Sequence, residues 1–439
     1  MHITNDHLPI LHTPLSRRRV LRSAAGATAG GLAGILLSKT PPLYAATRTV
    51  TMLTWNHFVA ASDEYLRKMA KDFEKENKCQ VKIDFIPHRD TYVKTAKEQE
   101  TREGHDIAFL FFSKPQLHHE DLETLDFMDD LGKKLGGWYD LIREVDQVDG
   151  RWVAMPFFYT CMAMTYREDL FQQAGLQAPK TWEEWKDSGK KIKEATGKKV
   201  GIALSQTEDA NISLYAILWA YGASTADKER RVIINSPETR KAMEYMKDLY
   251  QTTMTDEVLS WDDASNNQAF LGGEYSWVHN AVSIYFVAKE KVPDIFKATN
   301  HTLTPHGPGG QHGTAIPFNY GVWKFAKEKE LAMQFLQYMM EPKRYEEIFH
   351  ATLTFNAPPF KNGEQFDWNH DPKTAMLKDY AKTAHMIGWP APPDRKAEQM
   401  RSEWIVPNMF TYYCTGRKSL DEAVSWGEVE LQRVYSAKA

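Results

Sequence analysis

The sequence predicts an α/β protein with two domains, and three observations lead to that prediction. The chain has 439 residues, which is more than one typical hydrophobic core accommodates. Strand patterns and helix patterns alternate along it from residue 49 onward. The segment Ile107–Phe112 is apolar on both faces, which is typical of a central strand in a parallel sheet. We therefore expect open sheets that are covered by helices.

The first 45 residues predict an export signal rather than a part of the fold. A basic segment, Ser16–Arg22, precedes the Gly- and Ala-rich apolar stretch Ser23–Leu37, and small residues follow at Ala45 and Ala46. The pattern Ser-Arg-Arg-x-Val-Leu-Arg in the basic segment resembles the twin-arginine signal. The apolar stretch is too short to anchor the chain as a transmembrane helix. We therefore expect a mature chain that is free in the periplasm.

The charge of the mature chain argues against polyanionic partners. The full chain has a formal net charge of −4. Removal of residues 1–45 takes away five basic residues and one acidic residue, so the net charge moves from −4 to −8. An acidic protein is poorly suited to bind nucleic acid or an anionic membrane surface, and we expect neither as a partner.

The predicted elements follow one another in a regular order. Period-2 alternation predicts strands, and apolar residues at helical spacing predict helices. The strands in this order are Thr49–Trp55, Gln80–Ile86, Ile107–Phe112, Lys199–Leu204, Tyr275–His279 and Phe318–Phe325. The helices include Ser62–Asn77, Thr91–Arg102, Asn211–Tyr221, Ile233–Gln251, Asp262–Leu271 and Glu330–Met340.

One stretch in the middle of the chain predicts a crossing between two lobes. The run Trp152–Tyr166 is rich in aromatic, Met and β-branched residues and is too long for one strand. Because proline removes a donor from a sheet, we expect two extended segments around Pro156. A short helix then ends at Gly175, where glycine tolerates the left-handed cap. Thr181, with Glu184 three residues later, predicts the capping box of the next helix.

The sequence contains no motif of a known catalytic or metal centre. The segment His118–Asp121 places four potential ligands side by side, and adjacent residues do not converge on one ion. Glu183 and Glu184 point apart, and the capping box explains Glu184. Metalloprotease, hydrolase, dinucleotide-binding and phosphate-loop motifs are absent from the sequence. We predict no catalytic residue, no metal and no cofactor.

The three cysteines are an odd number and allow at most one disulfide. They are Cys79, Cys161 and Cys414, and their spacing fits no metal motif. Cys161 lies in the apolar run and is interpreted as a buried small hydrophobe. The sequence leaves open whether any pair forms a disulfide.

Aromatic and amide residues recur where the predicted strands end. In α/β sheets, ligands bind outside the carboxyl ends of the strands. Aromatic rings present apolar faces and amides supply both donors and acceptors, which suits an uncharged, polyhydroxylated molecule such as a sugar. The candidate residues are Trp55, Asn56, Phe112, Ser113, Asn280, Asn319 and Tyr320.

Several segments, taken together and in order, resemble one protein family. They cover nearly the whole mature chain and include Asp149-Gly150 through Pro179–Trp185, Gly104–Ile107, Phe270–Glu274, Pro305–Gly310, Ala332–Leu336 and Gly416–Ala423. This set resembles the ABC-transporter extracellular solute-binding proteins of family 1, the maltose-binding-protein-like group. The resemblance implies the periplasmic binding protein-like II fold, in which two α/β lobes close on a ligand in the cleft between them.

The resemblance also implies lobes that are discontinuous in the sequence. The first lobe is expected at residues 46–158 and 312–358. The second lobe is expected at residues 159–311 and 359–439. Residues 1–45 form the signal peptide in this division.

The resemblance adds three residues to the candidate site. Tyr159 falls at the crossing, and Trp219 and Tyr221 fall on the second lobe facing the cleft. In maltose-type members a stacking aromatic follows an Asn-Gly-Pro turn, whereas here Asn280 is followed by Ala-Val-Ser and the next aromatic is Tyr285. A sugar other than maltodextrin, or a sugar-like polyol, is therefore expected.

These observations lead to one functional prediction and two alternatives. We expect a monomeric, non-catalytic periplasmic receptor that binds a carbohydrate and delivers it to a membrane ABC permease. The first alternative is a receptor for a polyamine, an amino acid or an aromatic acid, which would need an opposite charge in the cleft. The second is an exported carbohydrate-active enzyme, which would need two carboxylates about 5–10 Å apart that flank a glycoside.

Overall fold

Two open β-sheets organise the described chain, which comprises residues 47–352 and 354–436 of a computed structural model. The predicted signal peptide, with its twin-arginine pattern, lies outside the described residues. The strands are β1 Thr49–Trp55, β2 Gln80–Ile86, β3 Ile107–Phe111, β4 Gln147–Val148, β5 Arg151–Trp152, β6 Met155–Thr160, β7 Met162–Arg167, β8 Lys199–Gly201, β9 Tyr275–Ala281, β10 Thr299–Thr302, β11 His306–Gly307, β12 Gly310–Gln311, β13 Gly313–Thr314, β14 Ile316–Val322 and β15 Ala384–His385.

Helices surround both sheets, with short 3-10 segments among them. The helices are α1 Ala60–Asn77, α2 His88–Thr101, α3 Lys114–His118, α4 Met128–Lys134, α5 Asp140–Asp146, α6 Glu168–Gln173, α7 Trp182–Thr196, α8 Glu208–Ala220, α9 Pro237–Thr253, α10 Ser265–Leu271, α11 Ser283–Lys291, α12 Pro293–Ala298, α13 Lys329–Met339, α14 Pro342–Ala351, α15 Arg395–Ser402, α16 Ile405–Cys414 and α17 Leu420–Ser436. Within the described residues, no helix is both long and apolar enough to cross a bilayer.

The first sheet has the strand order β2-β1-β3-β14-β6. Strand β1 pairs in parallel with β2 and β3, whereas β14 runs antiparallel to β3 and β6. Every residue of β3 is buried, as the two-sided apolar pattern predicts for a central strand. Helices α1, α2 and α13 pack against this sheet. Because β1 and β3 are parallel, their carboxyl ends meet at one edge of the sheet.

The second sheet has the strand order β10-β7-β9-β8. Strand β9 is buried along its whole length between β7 and β8. Helices α7, α10 and α11 pack against this sheet, and α8, α9 and α16 pack against one another. The two sheets with their helices form two α/β lobes, which confirms the predicted fold class. The division at residues 158, 311 and 358 stays a prediction.

The crossing between the lobes lies at Cys161, between β6 of the first sheet and β7 of the second. The expectation that Pro156 separates two extended segments is wrong, because Pro156 is the second residue of β6. Strand β6 lies at the edge of its sheet, and the register with β14 shifts at this point. Edge strands and bulges are the positions where a sheet tolerates a missing donor, so proline fits without ending the strand.

Two other local features of this stretch, a hairpin turn and a capping box, are found as predicted. The Asp149-Gly150 pair joins β4 and β5, and both residues have positive φ, as a tight hairpin turn requires. The capping box at α7 is present, because the Glu184 amide donates to Thr181 Oγ1 at 3.2 Å and the Thr181 amide donates to Glu184 Oε2 at 3.0 Å. The three cysteines are buried and unpaired.

Candidate ligand-binding site

A cavity of about 50 Å³ lies between the two lobes. One side of it is formed by the first lobe: Trp55, Phe58, His88, Phe111, Ile316 and Phe318. The other side is formed by the second lobe: Met162, Glu208, Asp209, Ile212, Asp263, Asn267, Asn280, Ala281 and Ser283. Thr160, the last residue of β6, completes the lining at the crossing. We call these sides the aromatic wall and the polar wall.

Trp55 is the centre of the aromatic wall. It is the last residue of β1, and only 4% of it is exposed. Its ring stacks on Phe318, with centroids 5.1 Å apart, and meets Phe58 edge-on at 5.2 Å. Phe58 is 39% exposed, because it lies in the loop after β1 rather than in the sheet. This wall offers ring faces and edges, which are suited to the apolar face of a ring or to a carbon chain.

His57 lies behind the aromatic wall and is neutral. Its Nε2 lies 2.8 Å from Asn356 Oδ1, and its Nδ1 accepts a hydrogen bond of 2.8 Å from the Val59 amide. Because Nδ1 is an acceptor, Nε2 carries the proton and both ring nitrogens are satisfied. Burial lowers the pKa of His57 to about 3, so the ring carries no charge next to Trp55 at neutral pH.

A chain of amide contacts forms one part of the polar wall. Asn280 lies in β9, and its Nδ2 donates to Oδ1 of Asn267 on α10. Asn267 in turn donates through Nδ2 to the Ser283 hydroxyl at 3.0 Å. The Ala281 amide donates to Asn280 Oδ1 at 2.8 Å, which fixes the orientation of the side chain. These groups supply both donors and acceptors to the cavity.

Three carboxyl groups form the rest of the polar wall. Glu208 and Asp209 open α8, where Thr207 provides the cap by accepting from the Ala210 amide at 3.1 Å. Asp263 lies in the loop before α10, and its Oδ1 accepts from the Asp209 amide at 3.3 Å. The cavity is therefore lined by three acidic side chains, which a purely apolar cleft would lack.

The two aspartates have opposite pKa shifts. Burial, followed by the charges of Asp263 and Glu208, raises the pKa of Asp209 well above its usual value. Burial also opposes ionisation of Asp263, but the hydrogen bond from His88 and the charges of His88 and Arg89 together keep its pKa below the usual value. Among the described residues, Asp209 forms no ion pair with a basic side chain, and the charge of Arg89 only partly offsets the rise in its pKa.

Charged contacts join the two lobes around the cavity. His88 Nε2 and Arg89 Nη2, both on α2 of the first lobe, lie 3.1 and 3.0 Å from Asp263 Oδ2. The Tyr92 hydroxyl, also on α2, donates to Glu208 Oε1 at 3.2 Å. The lobes are therefore in direct contact at this rim.

Arg401, on α15, is the most buried cation of this region. It is 2% exposed and contacts Glu208 and Glu398, with a distance of 2.6 Å from Nη2 to Glu398 Oε1. Its guanidinium lies 4.6 Å from the centre of the Phe112 ring. Burial opposes its charge, but the two glutamates raise the pKa of Arg401 well above its usual value. Lys114 of the first lobe also reaches Glu398, at 3.4 Å.

The structure brings only part of the predicted site together. Trp55 and Asn280 line the cavity on opposite walls. The other predicted residues lie outside its lining: Asn56, Phe112, Ser113, Tyr159, Trp219, Tyr221, Asn319 and Tyr320. Within this second group, Asn56 is exposed and the others are buried. Their role as ligand contacts stays a prediction.

Several of these residues form hydrogen bonds within the protein, although Asn319 Oδ1 and Trp219 Nε1 are buried without a hydrogen-bond partner. Asn319 donates to the Phe112 carbonyl at 3.2 Å, and the Tyr320 hydroxyl lies 2.8 Å from Thr54 Oγ1 in the core. The Tyr221 hydroxyl donates to Glu183 at 2.6 Å. Other residues lie in ring clusters: Phe112 beneath Arg401, Tyr159 beside Tyr139, and Trp219 beside Tyr215 and His385.

None of the charged residues of the cavity was predicted from the sequence. Thr207, Glu208 and Asp209 have the signature of an ordinary helix start, with a cap followed by acidic residues. His88 likewise begins α2 directly after a proline. Their position in the sequence could have indicated them, because α2 and α8 both begin near the end of a strand, where ligands bind in α/β sheets.

The chain matches a known family over most of its length. Residues 68–381 match the family described as bacterial extracellular solute-binding protein. A protein from Brucella abortus (strain 2308) that is named as a binding protein is 25% identical over 270 residues. That alignment covers 59% of this chain and 64% of the relative, so the chain spans less than two thirds of the relative's length.

Two solved structures have the same fold. The maltose-bound MalE3 of T. maritima gives a TM-score of 0.77 at 22% identity, over 88% of this chain and 100% of that chain. An ABC transporter solute-binding protein from Agrobacterium vitis S4 with bound D-mannitol gives a TM-score of 0.70 at 19% identity, over 88% and 98% of the two chains. At these identities the likeness shows the shared two-lobed architecture.

Proposed function

Because the chain belongs to the bacterial extracellular solute-binding proteins, we propose that it is the periplasmic receptor of an ABC importer. In this proposal it binds a sugar or a sugar-like polyol in the cavity between its lobes and delivers the ligand to the membrane permease. The observation that carries the proposal is the pairing of an aromatic wall with a polar wall of amides, carboxyls and a hydroxyl. A polyol has apolar C–H faces and a ring of hydroxyl groups, and the two walls complement these two surfaces.

The relatives support this choice of ligand class. The two solved structures of the same fold contain maltose and D-mannitol, which are a sugar and a polyol. The sequence after Asn280 also supports this ligand class. Ser283, which stands where maltose-type members have a stacking aromatic, lies in the polar wall. This wall is suited to hydroxyl recognition rather than to a second stacked ring.

The export signal and the charge support the location and the partners. Residues 1–45 have the pattern of a twin-arginine signal, so the mature chain is proposed to act in the periplasm as a monomer. Its partners are proposed to be the ligand and the permease subunits, with no nucleic acid.

Binding rather than catalysis is the better account of the carboxyl groups. All three carboxyls of the cavity, Glu208, Asp209 and Asp263, come from the second lobe. A glycosidase needs two carboxyls that flank the scissile bond from different sides. Glu208 is also engaged by Arg401, and Asp263 is engaged by His88 and Arg89. Incubation with aryl glycosides should give no hydrolysis, and turnover that is lost in an Asp209→Ala variant would contradict this proposal.

A thermal-shift screen of the mature chain tests the proposed function. A ligand that binds only the folded state at 100 times its dissociation constant stabilises the protein by about 2.7 kcal/mol. We expect at least one sugar or polyol to raise the melting temperature, and calorimetry should then give one site per chain. If only amino acids, polyamines or aromatic acids raise it, the carbohydrate assignment is wrong.

A further inference from the structure

We propose that the cleft binds a single neutral ligand of monosaccharide size, a hexose or a hexitol, and that Asp209 recognises the hydroxyl groups of this ligand through hydrogen bonds. This inference rests on the proposed function and narrows it to one class of ligand. It is carried by the size of the cavity, by the contacts that close its rim, and by the one cavity carboxyl that has no basic partner.

The size of the cavity limits the ligand. Its volume of about 50 Å³ is several times the 10–15 Å³ that a single water needs, and it is far below the 300–1,000 Å³ of sites for larger ligands. We expect the partly exposed Phe58 to move when one sugar ring or one six-carbon chain enters. A second sugar unit would require a still larger opening of this lining.

The contacts at the rim prevent the ligand from extending out of the cavity. His88 and Arg89 of the first lobe meet Asp263 of the second, and Tyr92 meets Glu208. A longer oligosaccharide must hold the lobes apart at these points and leave the partly buried carboxylate of Asp263 without its basic partners. Breaking such a pair is costly because the remaining charge is desolvated.

Asp209 differs from the other carboxyl groups of the polar wall. It is 9% exposed, and its Oδ2 accepts from Asn266 Nδ2 at 2.6 Å. Among the described residues, no basic side chain pairs with Asp209, and its Oδ1 makes no hydrogen bond. Glu208 and Asp263 are instead held by Arg401, His88 and Arg89. One oxygen of a nearly buried carboxyl is therefore left for a ligand in the cavity.

A hydroxyl group is the partner that suits this carboxyl. Burial and the neighbouring carboxylates raise the pKa of Asp209, which favours its neutral form. A neutral carboxyl both donates and accepts a hydrogen bond, and so does a hydroxyl group. The rings and aliphatic groups opposite, such as Trp55 and Ile212, are matched by the carbon skeleton of the same ligand.

Calorimetry on the full mature chain with a panel of defined sugars tests the proposal. The panel contains D-glucose, D-mannitol and D-sorbitol as neutral monomers, maltose and maltotriose as longer sugars, and D-glucosamine as a cationic monomer. We expect a neutral monomer to bind, and the longer sugars to bind about 100-fold more weakly, because they break the contacts at the rim.

Two variants of Asp209 separate hydroxyl recognition from charge recognition. Asp209→Ala should weaken the binding of the neutral monomer about 10-fold or more, since it removes both the donor and the acceptor. Asp209→Asn keeps a donor and an acceptor but cannot ionise, so it should bind the neutral monomer within a few-fold of the unaltered protein. Asp187→Ala, at an exposed position on α7 of the same lobe, is the control and should bind normally. Far-UV circular dichroism of each variant verifies that it is folded.

The possible failures are distinguishable. If maltose or maltotriose binds as tightly as the best monomer, or if Asp209→Ala binds normally, the inference is overturned and the proposed function stands. If D-glucosamine binds and the neutral monomers do not, the cavity recognises a positively charged ligand and the inference is overturned. If no sugar or polyol of any size binds, the proposed function itself fails.

Discussion

The two walls of the cavity come from different lobes, and they differ in chemistry. The aromatic wall consists of rings that pack on one another, such as Trp55 on Phe318. The polar wall consists of amides and carboxyls that are held by hydrogen bonds and ion pairs, such as Asp263 with Arg89. The aromatic wall is therefore stabilised mainly by burial of apolar surface, and the polar wall by compensation of buried charge.

The difference matters for how the lobes close. The ring contacts of Trp55 with Phe58, Phe109 and Phe318 lie within the first lobe, so these contacts do not depend on the position of the second lobe. The carboxyl groups of the polar wall are compensated partly by the other lobe, through His88 and Arg89. The polar wall is therefore the more sensitive of the two to a loss of contact between the lobes.

Removal of Arg401 should have the largest effect on stability. Arg401→Ala leaves Glu208 and Glu398 without their shared cation, and breaking a buried pair in this way costs about 3–5 kcal/mol of the free energy of unfolding. Urea denaturation measures the loss. Arg433, which is 51% exposed and pairs with Glu403, is the control. Arg433→Ala should cost less than about 1 kcal/mol. Equal losses in the two variants would show that the polar wall does not depend on buried charge.

Truncation of Trp55 tests the aromatic wall in the same assay. Trp55→Ala should cost about 3 kcal/mol, at the low end for a buried tryptophan, because the adjoining cavity lets the site relax. It should also abolish measurable binding of the ligand found in the screen, since the central ring of the wall is lost. If the folded variant binds normally, Trp55 is a core residue with no part in the site.

Acidification should destabilise the aromatic wall through His57. The folded-state pKa of about 3 lies below the unfolded value of 6.5, so below pH 6.5 the unfolded chain binds a proton that the folded chain does not. The stability provided by neutral His57 is complete above pH 6.5 and is lost progressively toward pH 3. Between pH 7.5 and pH 5 the loss amounts to about 2 kcal/mol.

A pair of histidine variants isolates this contribution. In urea denaturation at the two pH values, His57→Gln should show a pH-dependent loss that is smaller by about 2 kcal/mol than that of the unaltered protein. His350, on α14, has a side chain that is 40% exposed, and His350→Gln is the matched control that removes a histidine from outside the core. An unchanged pH dependence in His57→Gln would show that the ring is not held neutral.

Phe58 should give the smallest change in stability. Phe58→Ala removes a partly exposed ring from the mouth of the aromatic wall, so the free energy of unfolding should fall by less than about 1 kcal/mol. Ligand affinity should fall about 10-fold, because the ring closes over the cavity. Val93→Ala, at an exposed position on α2, should change neither quantity. A large loss of stability in Phe58→Ala would place the ring in the core instead.

Much of the fold follows from local patterns in the sequence. The alternation of strands and helices, the hairpin at Asp149-Gly150 and the capping box at Thr181 depend on residues close together in the chain, and each is found where the sequence predicts it. Pro156 is the exception, because whether a strand tolerates proline depends on its being an edge strand. The pairing partners of a strand lie far away in the sequence, as β14 does for β6.

Less of the candidate site could be predicted from the sequence. Trp55 and Asn280 line the cavity and were found because they follow or occupy strands that end near it. Glu208 and Asp263 were missed because acidic residues at helix starts and in loops are common without any ligand. Their significance comes from Arg401 and His88, which are far from them in the chain and reach them only in the folded protein.

The sequence by itself determined the class of fold, the order of the main strands and helices, and the family, because these depend on periodicity and on motifs carried along the chain. The tertiary structure decided which strand ends face one another and which charges meet between the lobes. A carboxyl group acquires its character from burial and from the charges within a few ångströms of it, as the opposite pKa shifts of Asp209 and Asp263 show. Those distances exist only once the two lobes have folded and are in contact.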